Sequence, residues 1–510
     1  MRRWIIGLAS SCALLILATV PALAATVVTV SGPSPYAGCS NAHQTGTNHL
    51  NAEVEPWVTS NPHSPGNLVG VWQQDRWSNG GAHGLVAGFS TNGGATWGET
   101  TLPFSGCAAG AVIDPFTNTP YDRASDPWVS AGPDGTMYTV SLSATETDGS
   151  IPGNNDTGVA AATSTDGGRT WGNAQLIKSD KGTSPVFEFT QFFNDKESVT
   201  ADPVHAGTAY VVWDRLVAPS HSPDAALRAH AFRGPTWFSK TTDGGRTWRG
   251  TRAIFDPGQN SQTIGNMVVV NPRTDTIYDF FEQFQSTGDP KVAPRGASVG
   301  FIKSTDGGAS WSDVTTVASQ VVANDVDPNT GALLRTGAGL PSVAVDPATG
   351  QLYATWTDAR FTSGVVNQVV ISTSTDGGAT WSAPALVSTT TPANRAAFTV
   401  NVAVNSGGTV AVSYYDLRDL SPTNTTTLPT NLWAKISTDH GASFGSDIHI
   451  SGPFNDLAAP NAGGFMLGDY SGLAASGTTF NPFFVQTNCP DSTLASSCAT
   501  NPTDVFSSSF

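Results

Sequence analysis

The sequence is poor in charged residues, and above all in positive ones. Only 13% of its 510 residues are Asp, Glu, Lys or Arg, and 24 Lys and Arg face 40 acidic residues, a formal net charge of −16. Binding to phosphate backbones needs a basic surplus that displaces counterions, so we expect no nucleic-acid partner. A phosphate-binding loop and a Rossmann fingerprint are also absent, which argues against nucleotide-dependent chemistry.

The sequence also lacks long stretches free of helix breakers. It contains 53 Gly and 33 Pro, and residues of these two types interrupt helices too often for a coiled coil or a helical bundle. Hydrophobic residues nevertheless make up 39% of the chain and include 14 Trp, which is enough to bury a large core. These proportions favour a folded protein built from short, tightly turned strands.

One apolar run stands out, and it lies at the N-terminus. Arg2 and Arg3 precede the apolar residues 4–20, and Ala22-Leu23-Ala24 then fits a small-x-small cleavage site. We interpret residues 1–24 as a signal peptide and 25–510 as the mature, secreted chain, either extracellular or periplasmic. A retained membrane anchor is the alternative, but the run is short for a bilayer span and no basic stop-transfer segment follows.

Cysteine is rare, with four residues left after removal of the signal peptide. An even number in an exported chain predicts two disulfides. Three pairings are possible, and we favour Cys39 with Cys107 and Cys489 with Cys498, the second closing a short local loop. A metal site is the alternative, but it is supported by no CxxC pair and no His cluster, and we expect no cofactor.

An eight-residue motif, S/T-x-D/N-x-G-x-x-W/F, recurs six times at spacings of 63 to 77 residues. Its third positions are Asn92, Asp166, Asp243, Asp306, Asp376 and Asp439. The motif resembles the Asp-box, or BNR repeat, of the sialidase superfamily, and the six copies with their flanks cover nearly all of the mature chain.

The residue types of the box are those of a turn. The Asp or Asn side chain accepts hydrogen bonds from nearby backbone N–H groups, Gly supplies a conformation with positive φ, and the final aromatic side chain buries a large face. The resemblance implies that these boxes are structural and lie away from the active site. We therefore expect no direct catalytic role for their carboxylates.

Short alternating strands separated by Gly/Pro turns accompany every box and predict four-stranded antiparallel meanders. Such sheets cannot bury both faces alone, so we expect an all-β fold with the sheets stacked as the blades of a single β-propeller. The mean box spacing is about 69 residues, and two further periods lie outside the outermost boxes. Seven blades are therefore favoured, with six, as in sialidases, as the alternative. Residues 28–33 match the fourth strand of blade six, which predicts that an N-terminal strand completes the C-terminal blade.

Several second strands end in an acidic residue and an arginine. Converging arginines hold carboxylate ligands by bidentate hydrogen bonds, as three do in sialidases. The candidate substrate-binding residues are Arg215, Arg360 and Arg418 at such strand ends, together with Arg123, which we place in the long loop before blade two. The alternative is an Asp–Arg bridge inside each blade, repeated because the blade is repeated.

Residues that break the repeat are better catalytic candidates, since a catalytic constellation is unique whereas scaffolding recurs. Glu55, Asp126 and Glu197 enter first strands near the expected axis. Asp469 and Tyr470 begin blade seven, and Glu282 stands where other second strands carry Asp and Arg. Carboxyls with different pKa values suit glycoside cleavage, one as acid and one as base or nucleophile. The candidate catalytic residues are Asp469, Tyr470, Glu282, Glu197 and Asp126; a turn cap or a bridge is the alternative for each.

The function we expect is that of a monomeric, secreted, sialidase-like exo-glycosidase acting on an acidic glycan that contains sialic or uronic acid. The alternative is a non-catalytic propeller that binds glycan or protein through the same face. Against catalysis of the sialidase type, the sequence has no F/Y-R-I-P segment, which normally supplies the first arginine of the carboxylate clamp. No span is expected to remain in a membrane after the signal peptide is removed.

Overall fold

The structure is a computed structural model that describes residues 26–40, 45–145, 156–182, 192–217, 233–258, 260–285, 295–389 and 394–510. The predicted signal peptide lies outside these residues. Helix is confined there to three short 3-10 turns, Arg360–Thr362, Asp456–Ala458 and Ala495–Cys498. Within the same ranges, no helix has the length and apolar character needed to cross a bilayer.

Strands make up the remainder of the regular structure. The first sixteen are β1 (Val28–Thr29), β2 (Glu53–Ser60), β3 (Leu68–Arg76), β4 (Ala82–Ser90), β5 (Gly98–Thr101), β6 (Ile113–Asp114), β7 (Thr119–Pro120), β8 (Arg123–Ala131), β9 (Met137–Thr145), β10 (Asp156–Ser164), β11 (Gly172–Asp180), β12 (Phe192–Ala201), β13 (Ala209–Val217), β14 (Thr236–Thr241), β15 (Arg249–Phe255) and β16 (Ser261–Asn271). The others are β17 (Thr276–Gln285), β18 (Arg295–Ser304), β19 (Thr315–Ser319), β20 (Leu334–Arg335), β21 (Ser342–Val345), β22 (Leu352–Asp358), β23 (Gln368–Ser374), β24 (Ala385–Leu386), β25 (Ala397–Val404), β26 (Val410–Asp416), β27 (Pro429–Ser437), β28 (Ile448–Asn455), β29 (Phe465–Met466), β30 (Gly472–Ser476), β31 (Thr479–Thr487) and β32 (Thr503–Ser507).

Most strands form four-stranded antiparallel sheets, which confirms the predicted all-β fold and its meanders. Six sets follow chain order, namely β2–β5, β8–β11, β12–β15, β16–β19, β21–β24 and β25–β28. A seventh set joins the two ends of the chain in the order β30, β31, β32, β1, with Val28 opposite Ser507. The first two sets are linked by one further pair, Ala82 with Ala124.

The first strands of the sheets lie next to one another in a regular order. They contact in the sequence β2, β8, β12, β16, β21, β25, β30, and β30 contacts β2 again. The second strands carry the core: β3, β22 and β26 are buried along their whole length. Trp72, Trp213 and Trp356 on second strands are completely buried, so they contribute large apolar areas to the packing between neighbouring sheets.

The six box turns share one hydrogen-bond pattern, seen clearly around Asp243. Its carboxylate accepts hydrogen bonds from the Thr247 backbone N–H (2.9 Å), the Thr247 hydroxyl (2.7 Å) and the Thr241 hydroxyl (2.9 Å). The Thr241 hydroxyl oxygen in turn accepts from the Gly245 N–H at 2.9 Å, and Gly245 has a φ of 80°. These exposed carboxylates are therefore saturated with hydrogen bonds from their own turns.

Box turns are also tied to the preceding sheet. Lys240 donates to the Gly307 carbonyl (2.7 Å), Lys303 to the Gly377 carbonyl (3.2 Å), and Gln351 to the His440 carbonyl (3.1 Å). Gly307, Gly377 and His440 occupy the same position within their boxes. A repeated contact between neighbouring sheets thus accompanies the repeated turn.

Both predicted disulfides are present. Cys39 pairs with Cys107 across 68 residues and Cys489 with Cys498 across 9, each with a Cα–Cα distance of 5.6 Å. The long bridge ties the segment after β1 to the loop after β5. It should stabilise the fold more than the short bridge, because it restricts a longer loop in the unfolded chain.

Candidate functional site

A β-bulge interrupts five of the first strands at the same place and places the residue there in a left-handed backbone conformation. The five residues are Glu55 (φ 53°), Asp126 (φ 51°), Lys196 (φ 49°), Gly265 (φ 69°) and Thr399 (φ 50°). Bulges re-aim a side chain out of the regular alternation, and positive φ is unusual for residues other than glycine. Three of these positions carry charged groups, and the structure brings those three together.

Lys196 stands at the centre of this arrangement. Its ammonium nitrogen donates to Glu55 Oε1 at 2.9 Å and to Asp469 Oδ2 at 2.7 Å, and it lies 3.6 Å from Asp126 Oδ2. The Lys196 side chain is 9% exposed, so these charges interact with little screening by water. The carboxyl groups come from two first strands and from the segment before β30, so they meet only in the folded chain.

Arg335 completes the group, and we call Glu55, Asp126, Lys196, Arg335 and Asp469 the charged cluster. The Arg335 guanidinium makes a bidentate pair with Asp469, at 2.7 Å from Nη2 to Oδ2 and 3.1 Å from Nε to Oδ1. Its side chain is 34% exposed, the most accessible of the cluster. Arg335 belongs to β20, a short strand between the fourth and fifth sheets that pairs in parallel with β29.

The cluster separates the pKa values of its carboxyl groups. Burial would raise the pKa of Asp469, but the charges of Arg335 and Lys196 outweigh it and hold that pKa well below the usual value. Burial of Glu55 wins over the opposing charge of Lys196 and raises its pKa to about 8. At neutral pH Asp469 is thus ionised, whereas Glu55 keeps its proton.

Further polar groups surround the cluster from behind. Arg76, 2% exposed, donates to Gln73 Oε1 at 2.6 Å, and the Gln73 amide donates to Glu55. Glu197 takes no part in these bonds, and neither of its buried carboxyl oxygens has a hydrogen-bond partner among the described residues. Burial therefore raises the pKa of Glu197 well above its usual value, and the nearby charge of Asp126 raises it further.

Aromatic side chains form a wall beside Asp469. Trp57 and Trp128 stack with their ring centres 3.5 Å apart, and the Tyr470 ring meets the edge of Trp128 at 5.1 Å. The Tyr470 hydroxyl donates to the Pro127 carbonyl at 3.1 Å. These three rings, Asp469 and Leu340 are among the residues that line a cavity of about 30 Å³. That volume admits about one water molecule.

Glu282 lies on β17, on the other side of residues 335–341. It is 5% exposed, and no side-chain or backbone group of the described residues makes a hydrogen bond to its carboxyl group. Burial alone raises the pKa of Glu282 to about 8, so its carboxyl group is protonated at neutral pH. A Cβ atom on Gly339 would approach Glu282 Oε1 to 2.8 Å, which places Gly339 directly against this carboxyl group.

The four candidate arginines bond within different parts of the fold. Arg215 pairs with Asp180 (2.5 Å), Arg360 with Asp358 (2.7 Å), and Arg418 with Asp416 (2.6 Å). Arg123 donates to the Asn79 side chain (2.8 Å) and the Gly80 carbonyl (2.7 Å). To contact a ligand, each of these arginines would have to release one of its partners or bind the ligand in addition to them.

Of the candidate catalytic residues, the structure therefore brings Asp469 and Asp126 into the charged cluster, with Tyr470 and Glu197 beside it and Glu282 across residues 335–341. Sequence reasoning missed Lys196 and Arg335. The sequence does contain a signal for Lys196. Glu55 and Asp126 each stand two residues before a Trp at which strand pairing resumes after the bulge, and Lys196 stands two residues before Ser198, at which pairing resumes in its own strand. Arg335 lies in a segment outside the repeat, so it has no equivalent position in the other copies with which it could be compared.

Comparison with protein-family models and with curated proteins gives no match. Among solved structures, the chain is similar to an α-L-arabinanase of Penicillium chrysogenum in complex with arabinobiose (14% identity, TM-score 0.45, covering 76% of this chain and 93% of that one). It is also similar to a Hadza microbial sialidase (16%, 0.43, 75% and 65%) and to the Trypanosoma rangeli sialidase (14%, 0.43, 78% and 57%). At such low identities and TM-scores, these likenesses carry no argument about the chemistry of the chain.

Proposed function

We propose that the chain is a secreted seven-bladed β-propeller of the Asp-box type that hydrolyses glycosidic bonds. The seven four-stranded sets would be its blades. Two observations support one closed ring: the first strands contact in chain order and return to β2, and β1 pairs with β32. The six matching box turns support the resemblance to the sialidase superfamily. Pairing of both chain ends in one sheet leaves no open edge between first and last blade.

The observation that carries the proposed activity is a pair of carboxyl groups whose pKa values are displaced in opposite directions. Asp469 is held ionised by Lys196 and Arg335, whereas burial keeps Glu282 protonated. Both groups contact the same short segment, since Arg335 pairs with the Asp469 carboxylate and Gly339 packs on the Glu282 carboxyl group. Two carboxyl groups with separate acid and base states are what glycoside cleavage requires.

In this proposal Glu282 is the general acid and donates its proton to the glycosidic oxygen as the bond to the anomeric carbon breaks. Asp469 acts at the opposite side, as a nucleophile or as the base that takes a proton from the attacking water. Water supplies the oxygen that ends on the anomeric carbon. If Asp469 is the nucleophile, water breaks the glycosyl–enzyme bond and gives its proton to Glu282; if Asp469 is the base, it takes the water proton and later releases it to solvent, from which Glu282 is reprotonated. Lys196 is a positioning residue that keeps Asp469 ionised, and the rings of Trp128 and Tyr470 offer an apolar face to the sugar.

The balance of charge favours an anionic glycan. Arg76, Lys196 and Arg335 are cationic, whereas Asp126 and Asp469 are ionised, Glu55 is protonated and the pKa of the neighbouring Asp195 is raised to about 7, so the three cations are not fully neutralised at neutral pH. Arg335 is the most exposed of the three cations and is the proposed contact for a sialic or uronic acid carboxylate. Arg123, Arg215, Arg360 and Arg418 stay candidates for contacts farther along the glycan.

A non-catalytic glycan-binding propeller is the second candidate function. The observation that favours it is the size of the cavity, about 30 Å³, which holds no sugar ring. The bonds of Lys196 and Arg335 are also satisfied within the protein. In this alternative the cluster would only stabilise the fold, and glycan would bind to side chains at the surface.

The test is a screen of the purified mature chain for hydrolysis of sialosides and of uronic-acid glycans, with Asp469→Asn and Glu282→Gln as site variants. Asp376→Asn is the matched control, because it removes a carboxylate from a box turn. We expect both site variants to lose about 100-fold or more in turnover and the control to keep it. Binding without turnover in the wild type would refute the enzyme and favour the alternative.

Secretion is part of the proposal and has its own test. The two disulfides are typical of proteins that fold in an oxidising compartment. Mass spectrometry of the chain recovered from outside the producing cell should show Ala25 as the N-terminal residue. If the chain is recovered only in the membrane fraction, with residues 1–24 still attached, the proposed secretion is wrong.

A further inference from the structure

Residues 335–341, which we call the strap, form the outer wall of the proposed site. The strap lies in the connection between β19 and β21 and belongs to none of the four-stranded sheets. Four of its residues, Arg335, Gly337, Ala338 and Leu340, are partly exposed, so the strap lies at the surface of the protein. It is therefore placed to control access to whatever lies beneath it.

The strap touches both proposed catalytic carboxyl groups at once. Arg335 makes its bidentate pair with Asp469, and a Cβ atom on Gly337 would come within 2.0 Å of the Asp469 carbonyl oxygen. Two residues further on, Gly339 lies against the Glu282 carboxyl group. The strap thus occupies the space between acid and base that a sugar would need, which explains why the remaining cavity is so small.

Besides the Arg335–Asp469 pair, the strap is held by single hydrogen bonds, among them Arg335 Nη1 to the Ala462 carbonyl (3.1 Å) and the Thr399 hydroxyl to the Thr336 carbonyl (3.0 Å). The Thr336 hydroxyl donates to Asp325 (2.6 Å), the Gly339 N–H to the Thr357 hydroxyl (3.0 Å), and Gln320 to the Gly339 carbonyl (2.7 Å). Within the described part of the chain, the only ion pair of the strap is Arg335 with Asp469, and we call this pair the latch.

The backbone of the strap is suited to movement. Gly337 and Gly339 have φ values of 64° and 93°, and the facing segment carries Gly463 and Gly464 at 86° and 151°. Glycine adopts these conformations without strain and changes them easily, so such residues serve as hinges. The parallel pairing that anchors the strap, β20 with β29, is only two residues long.

We propose that the strap is a lid, closed in this structure by the Arg335–Asp469 pair, whose opening exposes Glu282 and Asp469 to the glycan. This inference rests on the proposed function, because it assigns the regulation of that same site. A ligand carboxylate that takes Arg335 from Asp469 would release the latch, so an anionic glycan would open the site that it enters. Opening is local and leaves the four-stranded sheets intact.

The test measures opening without any substrate. Folded protein is treated with a water-soluble carbodiimide and glycinamide, and amide formation at each carboxyl group is followed by peptide mass spectrometry. Asp279 is the internal control, because it lies on the same strand as Glu282 and is fully buried and unpartnered within the described residues. Asp279 is covered by the sheet and not by the strap, so its carboxyl group should react only when the sheet itself opens.

We expect Glu282 in the wild type to react about tenfold faster than Asp279, and Arg335→Gln to speed Glu282 by a further factor of about ten while Asp279 is unchanged. Arg233→Gln, which removes a surface arginine from its pair with Asp256, is the matched control and should change neither rate. Equal rates at Glu282 and Asp279 in the wild type would overturn the proposal, as would an Arg335→Gln variant with an unchanged Glu282 rate. If Arg335→Gln fails to fold, Arg335→Lys takes its place, because it keeps the charge and loses the bidentate pair with Asp469. A lid that opens in a protein that hydrolyses no glycan would refute the proposed function and leave the lid standing.

Discussion

The box turns and the site beside the strap use the same functional group, a carboxyl, in opposite environments. Hydrogen bonds from Thr247, first from its hydroxyl and then from its backbone N–H, lower the pKa of the exposed Asp243 to about 2. The carboxyl group of Glu282 is buried and has no hydrogen-bond partner among the described residues, and burial raises its pKa to about 8. The repeated carboxylates are satisfied within their own turns, whereas those that break the repeat keep unusual protonation states. A displaced pKa therefore does not mark a functional site by itself, because the hydrogen bonds of a repeated structural turn also displace it. It becomes informative when its cause is burial or a partner that occurs once in the molecule.

The largest effect on stability should come from the centre of the charged cluster. Lys196→Met leaves Asp126 and Asp469 buried without their shared counter-charge, which should cost about 3–5 kcal/mol of unfolding free energy. Lys303→Met removes a lysine from the box side, where its partner is a backbone carbonyl, and should cost about 1 kcal/mol or less. Urea unfolding measures both. Similar losses in the two variants would remove the distinction between site and scaffold.

Within the cluster, the protonation state of a carboxyl group should decide how much unfolding free energy is lost when the group is replaced by the corresponding amide. Asp469→Asn leaves Arg335 and Lys196 without their main counter-charge and should cost about 3 kcal/mol. Glu55→Gln replaces a group that already carries a proton, so it should cost about 1 kcal/mol or less. The same unfolding measurement checks this pair. A larger loss for Glu55→Gln would show that Glu55 is ionised.

Stability should depend on pH in opposite directions in the two regions. The pKa of Glu282 is raised from 4.5 to about 8, so its contribution is fully present below pH 4.5 and is lost as the pH rises through about 8. Thermal unfolding of the wild type should therefore shift to lower temperature on the alkaline side, and Glu282→Gln should reduce that shift. An identical pH dependence in the variant would show that the folded protein does not hold Glu282 protonated.

The smallest effect should come from a single box. The pKa of Asp376 is lowered to about 2, first by the Thr380 hydroxyl, so its contribution is present above the ordinary pKa of 3.8 and is lost as the pH falls through about 2. Asp376→Asn should lower the melting temperature slightly at pH 7 and leave it unchanged near pH 2. Equal losses at both pH values would mean that the carboxylate is not ionised in its turn.

Much of the fold follows from the sequence because it is periodic. Repeated Asp, Gly and Trp fix the turns, and alternating strands around them give four-stranded sheets that each box turn closes in the same way. The N-terminal match between residues 28–33 and 448–453 predicted that a strand near the N-terminus would join the C-terminal sheet, and β1 does pair with β32. These features can be predicted from local sequence patterns because each copy of the repeat has the same pattern.

The candidate site was less predictable because its residues meet only through tertiary structure. Glu197 and Lys196 are neighbours, yet the bulge turns Lys196 into the cluster and leaves Glu197 beside it, a displacement of one residue that strand alternation alone does not reveal. Arg335 comes from a connection with no counterpart in other repeats. Neither its pair with Asp469 nor the position of Gly339 against Glu282 has a sequence signature.

The central claim is that the chemistry lies at carboxyl groups that break the repeat and not at the boxes. The most direct test is the pH dependence of turnover on an acidic glycan, in the wild type and in Glu282→Gln. We expect wild-type turnover to fall above about pH 8, as Glu282 loses its proton, and Glu282→Gln to be about 100-fold slower below that pH, with the difference narrowing above it. Turnover by Glu282→Gln at the wild-type rate, or no hydrolysis of any glycan by the wild type, would contradict it.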